Sequence, residues 1–143
     1  MKNIAGIIIM SIAIALTSCK EEKINTMTNE NTSKIIQDGS WNVTYFFQSN
    51  TNHTSDFTGY DFSFGSNNTV TAFDGSNIVT GTWATGTDDD DPKLILMFSG
   101  FSSPFDQLSD DWKVIELTST KLRLDDESGS GSSDTDYLTF ERN

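Results

Sequence analysis

The sequence predicts an all-β domain, an eight-stranded antiparallel up-and-down barrel, and three observations carry that prediction. Apolar and polar residues alternate with period 2 in eight short stretches, no stretch of the domain holds a sustained helical period, and most connections are of hairpin length. Period 2 sends successive side chains to opposite faces of a strand, so each stretch offers one face to a core and one to water. A β-sandwich with Greek-key links is the alternative. It needs at least one long crossing, and the short links favour the meander.

Ser40 to Gln48 (SWNVTYFFQ) is the first strand, with Trp41, Val43, Tyr45 and Phe47 on one face. A polar loop runs to Thr58, and Gly59 to Phe64 forms the second strand, where Tyr60, Phe62 and Phe64 alternate with Asp61 and Ser63. Gly65-Ser66-Asn67-Asn68 turns the chain into the third, Thr69 to Phe73. Asp74-Gly75-Ser76-Asn77 is a hairpin signal, because Asp-Gly tolerates the positive φ of a tight turn, and Ile78 to Ala84 follows as the fourth strand. Thr85 to Pro92 reads as an acidic loop around Asp88-Asp89-Asp90-Asp91. The fifth strand, Lys93 to Phe98, is nearly all apolar, as a strand covered on both faces would be. Ser99 to Ser109 is a long loop presenting Phe101, Pro104 and Phe105. Strands six, seven and eight are Asp111 to Leu117, Lys121 to Asp125 and Thr135 to Arg142, the last preceded by the Gly/Ser hinge Ser128 to Ser133.

Three segments follow from composition. Residues 1–18 carry Lys2 and then a thirteen-residue apolar or small run, Ile4 to Leu16. At 1.5 Å per residue that run spans about 20 Å as a helix, short of the roughly 30 Å hydrocarbon core, so it suits a secretory signal better than a membrane span. Residues 19–33 are polar and read as a flexible tether. Residues 34–143 are the domain, which holds all sixteen aromatic residues, enough for a core without disulfides. The same segment has six basic and eighteen acidic side chains, a net charge of −12, which excludes nucleic acid as a partner.

Two resemblances refine this outline. Leu16-Thr17-Ser18-Cys19 resembles the lipobox of bacterial lipoproteins, in which a peptidase cuts before the cysteine and its thiol takes a diacylglycerol; acyl chains such as palmitate would then hold the protein in the membrane. Lys20-Glu21-Glu22 resembles the acidic export signal of Bacteroidetes lipoproteins, which implies the outer membrane and its outward face. Gly39-Ser40-Trp41 at the start of the first strand and Arg142 on the last resemble the Gly-x-Trp and closing basic residue of lipocalins and the wider calycin group. The resemblance implies that Gly39, Trp41 and Arg142 are structural, with the cation stacked on the indole at one barrel end. Near strands six and seven, where lipocalins carry a Thr-Asp-Tyr motif, Asp111-Trp112 is only a loose echo, and no helix is expected after the last strand.

No catalytic residue, cofactor or metal ligand is assigned. His53 is the only histidine and sits in a polar loop, so a histidine-dependent triad has one candidate base and no supporting motif. Asp88 to Asp91 lacks the spacing and glycine of a calcium loop and reads as a solvated acidic segment. The aromatic residues remain open to two readings. Tyr45, Phe47, Phe62 and Trp83 either fill the interior or stack on a small apolar or amphipathic guest. Phe101 and Phe105 either lid the mouth, touch a glycan or protein partner, or fold back over the core. The expected function is that of a non-enzymatic, membrane-anchored ligand-binding barrel; a surface module for glycan or protein is the alternative.

Overall fold

A computed structural model describes residues 28–100, 103–126 and 135–143. The signal segment, Cys19, Phe101 and the Gly/Ser hinge lie outside the described residues. Among the described residues there are nine strands: β1 (Trp41–Gln48), β2 (Thr51–Asn52), β3 (Asp61–Phe64), β4 (Thr69–Phe73), β5 (Ile78–Asp88), β6 (Asp91–Met97), β7 (Asp110–Leu117), β8 (Lys121–Asp126) and β9 (Asp136–Arg142). From β3 onward each strand pairs antiparallel with the next, and β9 returns to pair with β1. The result is the closed eight-stranded antiparallel barrel expected, with β2 a two-residue flap on the end of β1. Closure satisfies the backbone donors and acceptors that an open sheet would leave along its edges. The β1–β3 seam is narrow, a single Trp41–Phe62 pair, and Asn42 bridges it by donating to the Tyr60 carbonyl at 2.9 Å and to Asp61 Oδ1 at 3.0 Å.

Strand β1 departs from the simple alternation. Its register against β9 slips between Val43 and Tyr45, a bulge that places one extra residue in β1 and reverses the phase beyond it. Trp41 and Val43 point inward as expected, but Tyr45 and Phe47 then point out, and Phe46 is the fully buried residue. Period 2 without a bulge had put all four on one face.

Two further expectations are corrected. The acidic stretch is mostly strand: β5 runs on to Asp88, β6 begins at Asp91, and Asp89 and Asp90 form a two-residue turn at φ 47° and 71°. Paired positive φ angles are those of a type I′ hairpin, which aspartate tolerates. Strand β6 is covered on one face only. Leu94 and Leu96 are buried, whereas Ile95 and Met97 stand on the outer wall, 37% and 54% exposed.

The sequence reading also assigned residues 29–33 to the tether, and here the structure shows a helix. Helix α1 (Asn29–Ile36) starts at Thr28, whose hydroxyl accepts the Asn31 N–H at 3.3 Å, and it buries Thr32 and Ile36 against the barrel at β5 and β6. Its last turn meets the seam of the barrel. The Ile36 carbonyl accepts the Trp41 indole N–H at 2.9 Å, and the Ile35 carbonyl accepts Arg142 Nη2 at 2.9 Å. The Arg142 guanidinium lies 4.9 Å from the centre of the Trp41 ring and donates to Asp38 Oδ2 at 2.8 Å. Gly39, at φ +80°, makes the turn beneath it, where a β-carbon would stand 3.6 Å from Arg142 Cδ. Arg142 thus ties the last strand to the first and to the helix. Arg142→Ala is expected to destabilise the domain by about 1–2 kcal/mol through loss of the ring contact and the carbonyl bond; an unchanged denaturation midpoint would contradict this.

Candidate functional site

The barrel interior is occupied by its own side chains. Phe62 packs on Phe57, Phe105 and Phe140 at centroid distances of 6.2, 6.4 and 5.4 Å, and Phe64 packs edge-on against Trp83 at 5.8 Å. Each of the three indoles is pinned by a carbonyl outside the barrel strands: Trp41 to Ile36 in α1, Trp83 to Gly65 at 3.0 Å, and Trp112 to Leu108 at 3.0 Å. These bonds give each buried N–H a partner and fix the ring that carries it. An eight-stranded barrel has room either for side chains or for one small ligand, and here the side chains take the space.

The end away from α1 is plugged by two short 3-10 turns. Phe57, in Thr54–Phe57, packs edge-on against Phe46 at 5.7 Å and Phe105 at 5.5 Å; Phe105 opens the second turn, Phe105–Leu108. Phe105 is therefore core, folded back under its loop. His53 precedes the first turn, with Nδ1 3.1 Å from Asp56 Oδ2 and its ring against Phe46.

Of the expected ligand-contacting residues, Phe62, Trp83 and Phe105 are buried in this packing, Phe101 lies outside the described residues, and Tyr45 and Phe47 are together on the outer wall. Their rings are stacked, with planes within 2° of parallel and centroids 6.4 Å apart. Tyr137 on β9 pairs across from Phe47 on the same face, so three rings share one patch, with Tyr45 40% and Tyr137 37% exposed. Asn52 flanks Phe47 on β2, and Asp125 flanks Tyr137 on β8, giving a polar margin. This patch needs the β1 bulge: without the phase reversal Tyr45 and Phe47 would both turn into the core. Tyr137 was not singled out from sequence, though its alternation with Leu138 in the last strand is a legible signal.

A second surface feature is a hollow of about 210 Å³ between the β5–β6 hairpin and the outer faces of β7 and β8. Lys93 Nζ lies 3.4 Å from Asp88 and 3.2 Å from Asp111, and Lys113 Nζ lies 2.7 Å from Asp91. Burial acts to lower the Lys93 pKa, but the hydrogen bonds and charges of Asp111 and Asp88 hold it above the usual lysine value. Two carboxylates of the acidic run are thereby directed to lysines rather than toward a common centre. Nearby, burial raises the Asp110 pKa against the hydrogen bond it accepts from the Asp111 N–H, and the charge of Asp126 adds to the rise.

The described residues thus define a small closed antiparallel barrel with a filled interior and an aromatic patch outside. Comparison with known proteins agrees at the level of fold. A solved structure of a DUF4847 family protein from Bacteroides vulgatus is similar, with a TM-score of 0.51 at 16% identity, covering 78% of this chain and 97% of that one. No family model matches the chain, and no curated protein matches it.

Proposed function

We propose that this protein is a non-enzymatic, lipid-anchored binding module of lipocalin-like build that takes its ligand on the outer wall, at Tyr45, Phe47 and Tyr137, rather than in the lumen. The observation that carries this reading is the stacked Tyr45–Phe47 pair on the outer wall, with Tyr45 and Tyr137 exposed, beside a packed interior. A guest in the lumen would have to displace rings that already touch one another; a guest on the outer wall displaces only water. Outward aromatic rings with a polar margin suit a ligand that is apolar on one face and polar at its edge. A sugar ring has that character, and the net charge of −12 favours a neutral glycan over an acidic one. Anchoring is supported by Leu16-Thr17-Ser18-Cys19 after the apolar run, and an outer-membrane location by Lys20-Glu21-Glu22.

Tyr45→Ala combined with Phe47→Ala is expected to weaken binding of a soluble neutral polysaccharide by about 10- to 100-fold in affinity electrophoresis, on the scale of about 1 kcal/mol per ring. Undiminished retardation by the double variant would overturn the patch as the site. Anchoring has its own test. Cys19→Ala is expected to move the protein from the detergent phase to the aqueous phase in a Triton X-114 partition, and a variant that stays with detergent would refute lipidation.

A further inference from the structure

The strand registers join the aromatic patch to the hollow beside the β5–β6 hairpin. Phe47 pairs with Tyr137, Tyr137 with Asp125, Asp125 with Lys113, and Lys113 with Lys93. Cross-strand partners stand on the same face of a sheet, so these five side chains form one row. Their chain neighbours Phe46, Leu138, Leu124, Trp112 and Leu94 are buried, which puts the row on the outer wall. Asp125 belongs to both features, since it flanks Tyr137 and also lines the hollow. No strand edge interrupts the row, because β1, β9, β8, β7 and β6 are consecutive in the closed sheet. Neighbouring strands lie about 4.8 Å apart, so Tyr137 and Lys113 are separated by roughly 10 Å of wall.

We infer that the hollow is a second subsite of the aromatic patch, and that the ligand is a linear neutral oligosaccharide laid across β1, β9, β8 and β7. The inference rests on the glycan-binding reading above and adds the length and course of the chain. Shape supplies the first argument. The hollow holds about 210 Å³ and is lined by Lys93, Lys113 and five aspartates, so a concave polar site adjoins a platform of rings. A chain of sugars can place the apolar face of one unit on the rings and the hydroxyls of a later unit in the hollow.

Charge supplies the second argument. Lys93 Nζ lies 3.4 Å from Asp88 and 3.2 Å from Asp111, and Lys113 Nζ lies 2.7 Å from Asp91. Ammonium groups standing among the carboxylates repel an added cation, and the carboxylates repel an anion. A sugar hydroxyl both donates and accepts. It can give its proton to a carboxylate and take an N–H from an ammonium while the ion pairs stay in place. Length supplies the third argument. A hexose advances a linear chain by about one strand spacing, so the row from Phe47 to Lys113 accommodates about four units.

The test uses the full chain and isothermal titration with neutral oligomers of glucose and of mannose, from disaccharide to hexasaccharide. Affinity is expected to rise about 10-fold or more between disaccharide and tetrasaccharide and then to level off, on the scale of a hydrogen bond to a charged group. Lys113→Gln is expected to remove that gain and leave the disaccharide affinity unchanged. The Lys113 side chain is 41% exposed, and the unchanged disaccharide affinity shows that the variant has folded. Affinity that stays flat beyond the disaccharide, or an equal loss at every length in Lys113→Gln, would overturn the second subsite and leave the patch standing. Tighter binding of a glucosamine tetramer than of its neutral counterparts would assign the hollow to a cation and also overturn it. A wild-type chain that binds none of the oligomers would sink the glycan reading of the patch, and this inference with it.

Discussion

Trp41→Ala is expected to destabilise the domain by about 3–5 kcal/mol, the upper range for removing a large buried side chain. Four losses coincide at this position. The fully buried indole leaves a cavity at one end of the barrel, and the Ile36 carbonyl loses its only indole donor. The Arg142 guanidinium loses the ring beneath it, and the β1–β3 seam loses packing at its one registered pair. Because α1, β1, β3 and β9 meet there, the damage is not confined to one strand. A domain of this size commonly has about 5–15 kcal/mol of total stability, so the variant would sit near its unfolding threshold. Urea denaturation followed by tryptophan emission reads the effect, and a loss below about 1 kcal/mol would contradict the placement of the indole.

The neighbouring pair Phe46 and Phe47 gives the second large effect, and its value lies in the contrast. Phe46 is fully buried against Phe57 and Trp112, so Phe46→Ala is expected to cost about 3–5 kcal/mol. Phe47 lies on the outer wall beside Tyr45, so Phe47→Ala is expected to stay within about 1 kcal/mol of wild type. Unbroken alternation from Trp41 would give the reverse order. The two denaturation midpoints therefore test whether the bulge lies between Val43 and Tyr45, and a larger loss at Phe47 would remove both the bulge and the outward placement of Tyr45 and Phe47.

These two residues also show where sequence pattern loses its grip. Alternation located all eight barrel strands, and the Gly39–Trp41 and Arg142 ends identified the two strands that meet. What it could not deliver was phase. A single inserted residue reverses every later side chain, and nothing in VTYFF marks where the extra residue falls, since aromatic residues suit both faces of a strand. Helix α1 was hidden for a related reason. It is only eight residues long, its buried face is Thr32 and Ile36, and its flanks are Asn and Thr, residues that read equally well as loop. The acidic hairpin was misread because four aspartates suggest solvent, while the backbone uses two of them for a type I′ turn and the other two as strand ends. Phe57 was missed because a lone aromatic residue in a polar loop carries no period. The candidate site inherits these limits: Tyr45 and Phe47 were singled out as ligand contacts, but the wall they occupy depends on a bulge that only tertiary packing positions.

The pairing of Trp41 with Arg142 has a bearing on how the molecule is made. Those partners come from opposite ends of the domain, so the cylinder stays unzipped until the last strand has emerged from whatever pore delivers the chain. Long-range pairings of this kind form slowly, and the unzipped intermediate shows two bare hems, on β1 and on β8. Any factor that covers bare strand edges would therefore stay engaged until the final seven-residue ribbon, Asp136–Arg142, is in place.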